Sequence, residues 1–351
     1  MLEQDWDVLA EKGLLEQALS ELAERTQTAD LRFANLEVTL QGNEGVIPKQ
    51  PRVIGSRSTL EAVLRELDID VVSVANNHTF DGYLSGFLEV EDLLDSAEVK
   101  HCGAGADPET ATKSVIFDLN GIRIGLLAYV ALDTKPSHVI NRDKFGVNPF
   151  EENLACAAIE RLDARVDHVL VSLHWGVEYT HLPSPSQVRI ARRLVDCGAS
   201  LVIGHHAHVV QGVQRYGSGV IAFNLGNAAA TDLTIDGRLA IRKTAQNSSS
   251  FELQVELSKE EVVGFQTMPF RFDGSAIKMA DKTAQRYLRL ANGYLDRGIS
   301  EELWRRRRLF EDVVLRTLRK LHPRVILSVR TAHFSKLLRN LKTALSGQGP
   351  D

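Results

Sequence analysis

The stretch 169–227 constrains the fold of this chain more than any other. Two short apolar, β-branched runs, 169–173 and 200–203, each stop abruptly at polar residues. The first ends in His174-Trp175-Gly176, with Glu178 and Tyr179 just beyond, and the second in Gly204-His205-His206-Ala207-His208. Between them, 184–197 carries Val188, Ile190, Ala191, Leu194 and Val195 at helical spacing, and Gly198 follows as a C-cap. Strand, helix, strand, with reactive side chains just past the strand ends, is the layout of a buried sheet that carries a site on its loops.

Neutral imidazole is the commonest protein ligand for borderline transition metals, and rings from different loops can converge on one ion. A single histidine at a strand end is more often structural, but here four arrive at two consecutive strand ends. His206 and His208, two positions apart, can reach one concave site or two neighbouring ions.

The N-terminal half repeats the pattern. Residues 6–24 read as an amphipathic helix with Leu9, Leu14, Leu15, Leu19 and Leu22 on one face. Residues 29–40 read as a strand whose end carries Asn35 and Glu37, either a polar strand edge or oxygen ligands for the same site. A helix over 58–67 follows, with Ser56 or Ser58 as N-cap. The apolar strand 71–74 then ends in Asn76-Asn77-His78, with Asp81 three residues on. An Asn-Asn turn accounts for the asparagines but not for the arrival of His78 and Asp81 with them. Helices are expected over 84–96 and 151–162, and 133–150 reads as a loop. Asn120-Gly121 between two apolar runs predicts a hairpin, so the sheet is mixed. Residues 250–257 and 262–272 read as two further antiparallel strands.

A chain of 351 residues can bury a full core as one large domain or two smaller ones. A net charge of -5 argues against a nucleic-acid partner. The three cysteines, Cys102, Cys156 and Cys197, form no CxxC pair, which speaks against a disulfide scaffold and for a reducing compartment. The charged first 24 residues do not resemble a signal peptide, and no run reaches the roughly 18 apolar residues of a membrane span. The expected location is therefore cytoplasmic or peripheral to a membrane.

The segments FANLE, SVANNHTFDG, HCGAG, NGIRIGLLAY, HWGVEY, PSPSQ, GHHAHVVQGVQ and NLGN follow one another in the order seen in the CapA family. These bacterial capsule (poly-γ-glutamate) biosynthesis proteins have a fold similar to the calcineurin-like metallophosphoesterases. The resemblance covers roughly 29–272. It implies an α/β fold, an αββα sandwich of two mixed β-sheets with a metal site at the strand ends. By position, Asn35, Glu37, Asn77, His174, His206 and His208 resemble the ligands of one or two Mn, Fe or Zn ions. An Asn at position 35 would weaken bridging between ions unless Glu37 replaces it. His78 resembles the catalytic acid, with Glu178 as the second catalytic residue, and Tyr179, His205, Gln211 and Asn227 are expected at the substrate. The implied function is metal-dependent, phosphoesterase-type hydrolysis in capsule-polymer synthesis. The alternative is a non-catalytic, metal-containing scaffold that binds an anionic polymer. Family members open with a strand ending in Gly-Asp. Nothing before Asp30 reads as such a strand, so it is expected upstream, and without it the sheet edge at 71–74 lacks a neighbour.

Beyond Phe272 the resemblance fades. Residues 1–272 are the expected metallophosphoesterase domain and 273–351 a helical basic extension, with helices over 277–295 and 300–321. From Arg297 to Lys342 there are thirteen basic and four acidic residues, and Arg305–Arg308 are consecutive. Leu309, Val313, Val314, Leu318 and Leu321 form an apolar stripe. Such a segment packs as an appendage or docks on an anionic membrane surface or polymer.

Overall fold

The computed structural model describes residues 6–140, 143–228, 233–235, 238–241 and 244–310. The chain opens with α1 (Trp6–Glu11), α2 (Leu15–Thr26), β1 (Phe33–Asn35), α3 (Arg57–Glu66), β2 (Val71–Ser73), α4 (Tyr83–Ser96), β3 (Lys100–Cys102), β4 (Ala104–Gly105) and α5 (Pro108–Thr112). The middle holds β5 (Val115–Leu119), β6 (Ile122–Val130), β7 (Gly146–Val147), α6 (Glu152–Asp163), β8 (His168–His174), α7 (Pro185–Asp196) and β9 (Ala199–His205). The last third holds β10 (Val213–Tyr216), β11 (Gly219–Ala222), β12 (Leu233–Ile235), β13 (Arg238–Ile241), β14 (Ser249–Leu257), β15 (Val262–Phe272), β16 (Ile277–Met279), α8 (Lys282–Arg297) and α9 (Glu301–Leu309).

A six-stranded mixed sheet, ordered β10-β11-β9-β8-β6-β5, forms the central plane, with β6, β8, β9 and β11 parallel and an antiparallel strand at each edge. The β5–β6 hairpin turns at Asn120 and Gly121, both at positive φ, as the Asn-Gly pair demands. Alternation along the buried strands sends their side chains to two different cores. Val169, Val171 and Leu173 face α6 and α7 together with Ile159, Ala191 and Leu194. Leu126, Leu170, Leu201 and Ile203 face the second layer, where Val71, Ala75 and Cys102 meet them. Val72, next to Val71 on β2, points instead to the outer core under α1–α4, with Leu19, Leu64 and Leu94. Helices, sheet, sheet and helices therefore stack as an αββα sandwich. The second layer is built from two ladders, the parallel β1-β2-β3 and the antiparallel β14-β15-β16.

Several boundaries differ from the sequence expectation. The helix expected over 6–24 breaks at Gly13, whose φ of 65° lets Leu14 turn back onto Leu9 and starts α2 afresh. The strand expected over 29–40 is regular only through Asn35, and Thr39 makes a lone bridge to Ile54. The edge expected at 71–74 is not an edge: β2 pairs in parallel with β1 on one side and β3 on the other. Residues 277–279 are strand, because they continue the β15 ladder before Ala280 at positive φ and the Asp281 cap start α8. Cys156 and Cys197 form a disulfide between α6 and the end of α7, where the sequence expectation was a reducing compartment without a disulfide scaffold. Spacing alone hid the pair, since two helices packed on one sheet face bring residues 41 apart to a Cα separation of 5.4 Å. Cys102 is a buried free thiol whose pKa is pushed up to about 12 by its apolar surroundings.

Ala284 and Leu288 of α8 join the core between the sheets, and Leu295 joins the core under α7. Residues 273–297 are thus built into the same body as the preceding strands. Among the described residues no helix is long and apolar enough to cross a membrane. The helix expected over 300–321 is described as α9, and its remainder and the stripe beyond Leu309 lie outside the described residues.

Candidate metal centre

The site lies where the parallel strands end. In open α/β sheets such carboxyl ends carry the ligand crevice, because the loops leaving them diverge and present both side chains and backbone. Asn35 and Glu37 come from the end of β1, Asn77 and His78 from that of β2, His174 from β8, and His206 and His208 from the turn after β9. The turn is forced close to the neighbouring chain at Gly204, where a Cβ would stand 1.8 Å from the Phe223 carbonyl oxygen. Tyr179, His206 and His208 all have positive φ, a costly backbone state that recurs where geometry is fixed for function.

Glu37, His174 and His206 offer ligand atoms within 4.8 Å of one another, and all three side chains are buried. His174 Nε2 lies 2.9 Å from Asn77 Oδ1 and 3.1 Å from His206 Nδ1. Two ligands at right angles on one ion, each about 2.1 Å from it, stand about 3 Å apart. The His174 Nδ1 atom lies 3.8 Å from Glu37 Oε2 and has no hydrogen-bond partner among the described residues. With Oδ1 of Asn77 facing the ring, one proton cannot serve both nitrogens. On Nε2 it leaves a lone pair against the Glu37 carboxylate, and on Nδ1 it leaves a lone pair against Asn77 Oδ1. A divalent cation among these donors removes the conflict, so the residues fit one. Burial holds His174 well below its ordinary pKa, helped by His206, His205 and His208, and lowers His206 to about 3. Both rings are neutral at pH 7 and present lone pairs, the form a metal requires.

Asn35 donates from Nδ2 to Glu37 Oε2 at 3.2 Å and so helps to hold the Glu37 carboxylate in place. His78 sits beside the cluster, its Nδ1 2.6 Å from Asp81 Oδ2. A carboxylate only accepts, so Nδ1 carries the proton and Nε2 a lone pair. Their separation is that of an ion pair, yet burial lowers the His78 pKa more than Asp81 raises it. The contact is therefore a hydrogen bond from a neutral ring. Asn76 ties the turn down, donating to the Leu36 carbonyl and accepting from the His78 amide.

The remaining expected residues divide. His208 stacks on Tyr179 with ring centroids 5.6 Å apart, and its Nδ1 is 3.1 Å from Asn227 Oδ1. Asn227 donates in turn to the Asn247 carbonyl, so it orients His208 from behind. Gln211 is buried and clamps the loop by donating to the Thr180 carbonyl. His205 is buried beside Phe33, with ring centroids 5.8 Å apart, and burial lowers its pKa to about 3. Glu178 is half-buried on the loop after β8. Lys49, which no sequence pattern singles out, reaches the Asn77 carbonyl and Asp81. Only the flanking Pro48 and Pro51 hint at a fixed backbone there.

The "PGA biosynthesis protein CapA" of Bacillus subtilis (strain 168) is 28% identical over 204 residues, covering 57% of this chain and 53% of that protein. A "Probable polyglutamine synthesis accessory protein" of Mycobacterium tuberculosis is 26% identical over 276 residues, covering 76% of this chain and 72% of its own. The chain thus spans about half the length of the Bacillus relative. The solved NAD nucleotidase of Haemophilus influenzae aligns with a TM-score of 0.40 at 12% identity, covering 66% of this chain and 47% of that one. The family model described as "Bacterial capsule synthesis protein PGA_cap" matches residues 1–232, about two thirds of the sequence. This chain belongs to the bacterial capsule synthesis protein family PGA_cap.

Proposed function

We propose that this chain is a metal-dependent, phosphoesterase-type hydrolase that works in the synthesis of poly-γ-glutamate or a related anionic capsule polymer. The observation that carries the reading is the buried cluster of Glu37, His174 and His206, with Asn77 2.9 Å from His174, beside the His78–Asp81 pair. Glu37, Asn77, His174 and His206 would hold the ion (Mn, Fe or Zn), with His208 on the same turn for a second. When bound, such an ion supplies Lewis acidity that screens negative charge on a phosphoryl oxygen.

The chain's own residues supply the rest. His78 would first take up a proton from water at Nε2 and then give it to the leaving group, while Asp81 anchors the Nδ1–H, a role worth about 10²–10⁴ in rate. Glu178 and the face of Tyr179 and His208 border the approach. The partner is an anionic polymer or a phosphate-containing substrate, and the basic C-terminal region is suited to hold the protein near an anionic surface. Purified protein should carry Mn, Fe or Zn, and replacing His206 and His208 by Ala together should remove most of it. Equal metal in the double variant by elemental analysis would overturn the site. Metal-dependent turnover of bis(p-nitrophenyl) phosphate is expected. A metal-loaded protein that binds polyglutamate but turns over no phosphodiester would be a scaffold instead.

A further inference from the structure

The segment between β1 and α3 wraps around one buried carboxylate. Asp81 is completely buried, and three groups from outside its own turn meet it. The Ile47 amide donates to the Asp81 carbonyl at 2.9 Å, and the Val53 amide donates to Oδ2 at 3.0 Å. Lys49 Nζ stands 3.2 Å from Oδ1 and also donates to the Asn77 carbonyl. Arg52, the other cation of the segment, turns back to the Ile47 carbonyl at 3.4 Å. Asp81 therefore has His78 and Val53 on one oxygen and Lys49 on the other.

A carboxylate removed from water is costly to the fold unless a cation and hydrogen bonds compensate it. Lys49 is the described cation that touches Asp81, and it keeps a quarter of its own side chain in solvent. Without it, Oδ1 would have no partner among the described residues, and the carboxylate would be free to turn away from His78. With Asp81 turned away, nothing would hold the His78 proton on Nδ1, and it would be free to move to Nε2. The geometry points to Lys49 as a positioning residue: it holds the Asp81 carboxylate against His78 Nδ1, which fixes the proton of His78 there and leaves Nε2 free for the reaction. The same ammonium group fixes the Asn77 backbone between His78 and the metal cluster, so one lysine sets the spacing of both. This deepens the hydrolase reading and rests on it only for its catalytic consequence.

The test compares Lys49→Met, Lys49→Gln and Lys49→Arg in the full chain, with circular dichroism and melting to establish folding. In metal-free wild type, selectively ¹⁵N-labelled histidine should show His78 as the Nδ1–H tautomer. Lys49→Arg should keep that signature, and Lys49→Met and Lys49→Gln should lose it. On bis(p-nitrophenyl) phosphate with Mn, the uncharged variants should lose at least tenfold in kcat with KM within about twofold and bound metal unchanged. Lys49→Arg should recover most of the loss. If the uncharged variants keep the Nδ1–H tautomer, the assignment fails whatever the turnover. A wild type that shows the tautomer response but no turnover defeats the hydrolase reading and leaves the positioning role standing. If Lys49→Met does not fold, Lys49→Gln, which retains a donor for the Asn77 carbonyl, decides the matter.

Discussion

Glu91, on α4, carries a charge that the fold opposes. Its pKa is pushed up to about 6, first by burial and then by repulsion from Asp95 and Asp107. His101 Nε2 lies 3.5 Å from it, which as a distance reads as an ion pair. Burial lowers His101, however, so the ring is neutral at pH 7 and offsets little. Because the folded value lies above the ordinary carboxylate value of 4.5, the protonated acid is the one the fold prefers. Stability is therefore lost as pH rises from about 4.5 through 6, and the whole cost is present at neutral pH. A shift of this size corresponds to about 2 kcal/mol, discounted to about 1 for a side chain still partly in water. Glu91→Gln should raise stability by about that amount at pH 7.5 and leave it unchanged at pH 4. Equal gains at both pH values in denaturant melts would assign the effect to packing instead. Legibility at this scale followed the chemistry of the residue types. His174, His206 and His208 were visible because imidazoles gather at neighbouring strand ends chiefly where a metal or a proton is handled. Lys49 was invisible, since its partners Asn77 and Asp81 lie about thirty positions away and a lone lysine carries no pattern.

Elements show how local signals fix helices while long-range pairing decides the rest. The helix over 184–197 was legible from its apolar spacing, and its start is a local device: Ser184 accepts from the Gln187 amide, Gln187 answers the Ser184 amide, and Pro185 occupies the first turn. The Asn-Gly hairpin was equally legible. By contrast, Ile277–Met279 looks helical alone and becomes strand because β15 offers it an edge. The disulfide from α6 to the end of α7 belongs to this second kind. On the chain-entropy account, closing a loop of 41 residues stabilises by about 4 kcal/mol. Replacing Cys156 and Cys197 by Ser, or adding reductant, should lower the melting temperature by about 5–10 °C. The site lies at the other end of β8 and β9 from the chain-terminal half of α7, so metal content should not change. An unchanged melting temperature with the thiols shown to be reduced would mean that helix packing alone holds α6 to α7.

The whole molecule is tied together by its second layer, where distant parts of the chain meet. Arg25 of α2 pairs with Glu252 of β14 at 3.3 Å, and Phe270, Phe272 and Ile277 share the outer core with α1–α4. The family match ends at 232, yet the cores continue to Leu295. A chain cut at 272 would lose Ile277, Leu288 and Leu295, each buried, at about 1.5–3 kcal/mol apiece. That total of about 5–9 kcal/mol is comparable with the folding stability of an entire domain. A chain cut after 310 loses none of these residues and keeps α9, whose Trp304 donates to the Leu182 carbonyl at 3.2 Å beside the site loop. It does lose 311–351, with eight basic and three acidic residues. The shorter fragment should therefore aggregate or melt without a cooperative transition. The longer one should melt like the full chain and keep its metal, but should lose salt-sensitive sedimentation with anionic vesicles or polyglutamate, since each basic side chain near such a surface contributes about 1 kcal/mol. Cooperative melting of the 1–272 fragment would show that α8 is an appendage. Unchanged sedimentation of 1–310 would move the anionic contact to the arginines of α9, and no sedimentation of the full chain at low salt would remove that partner altogether.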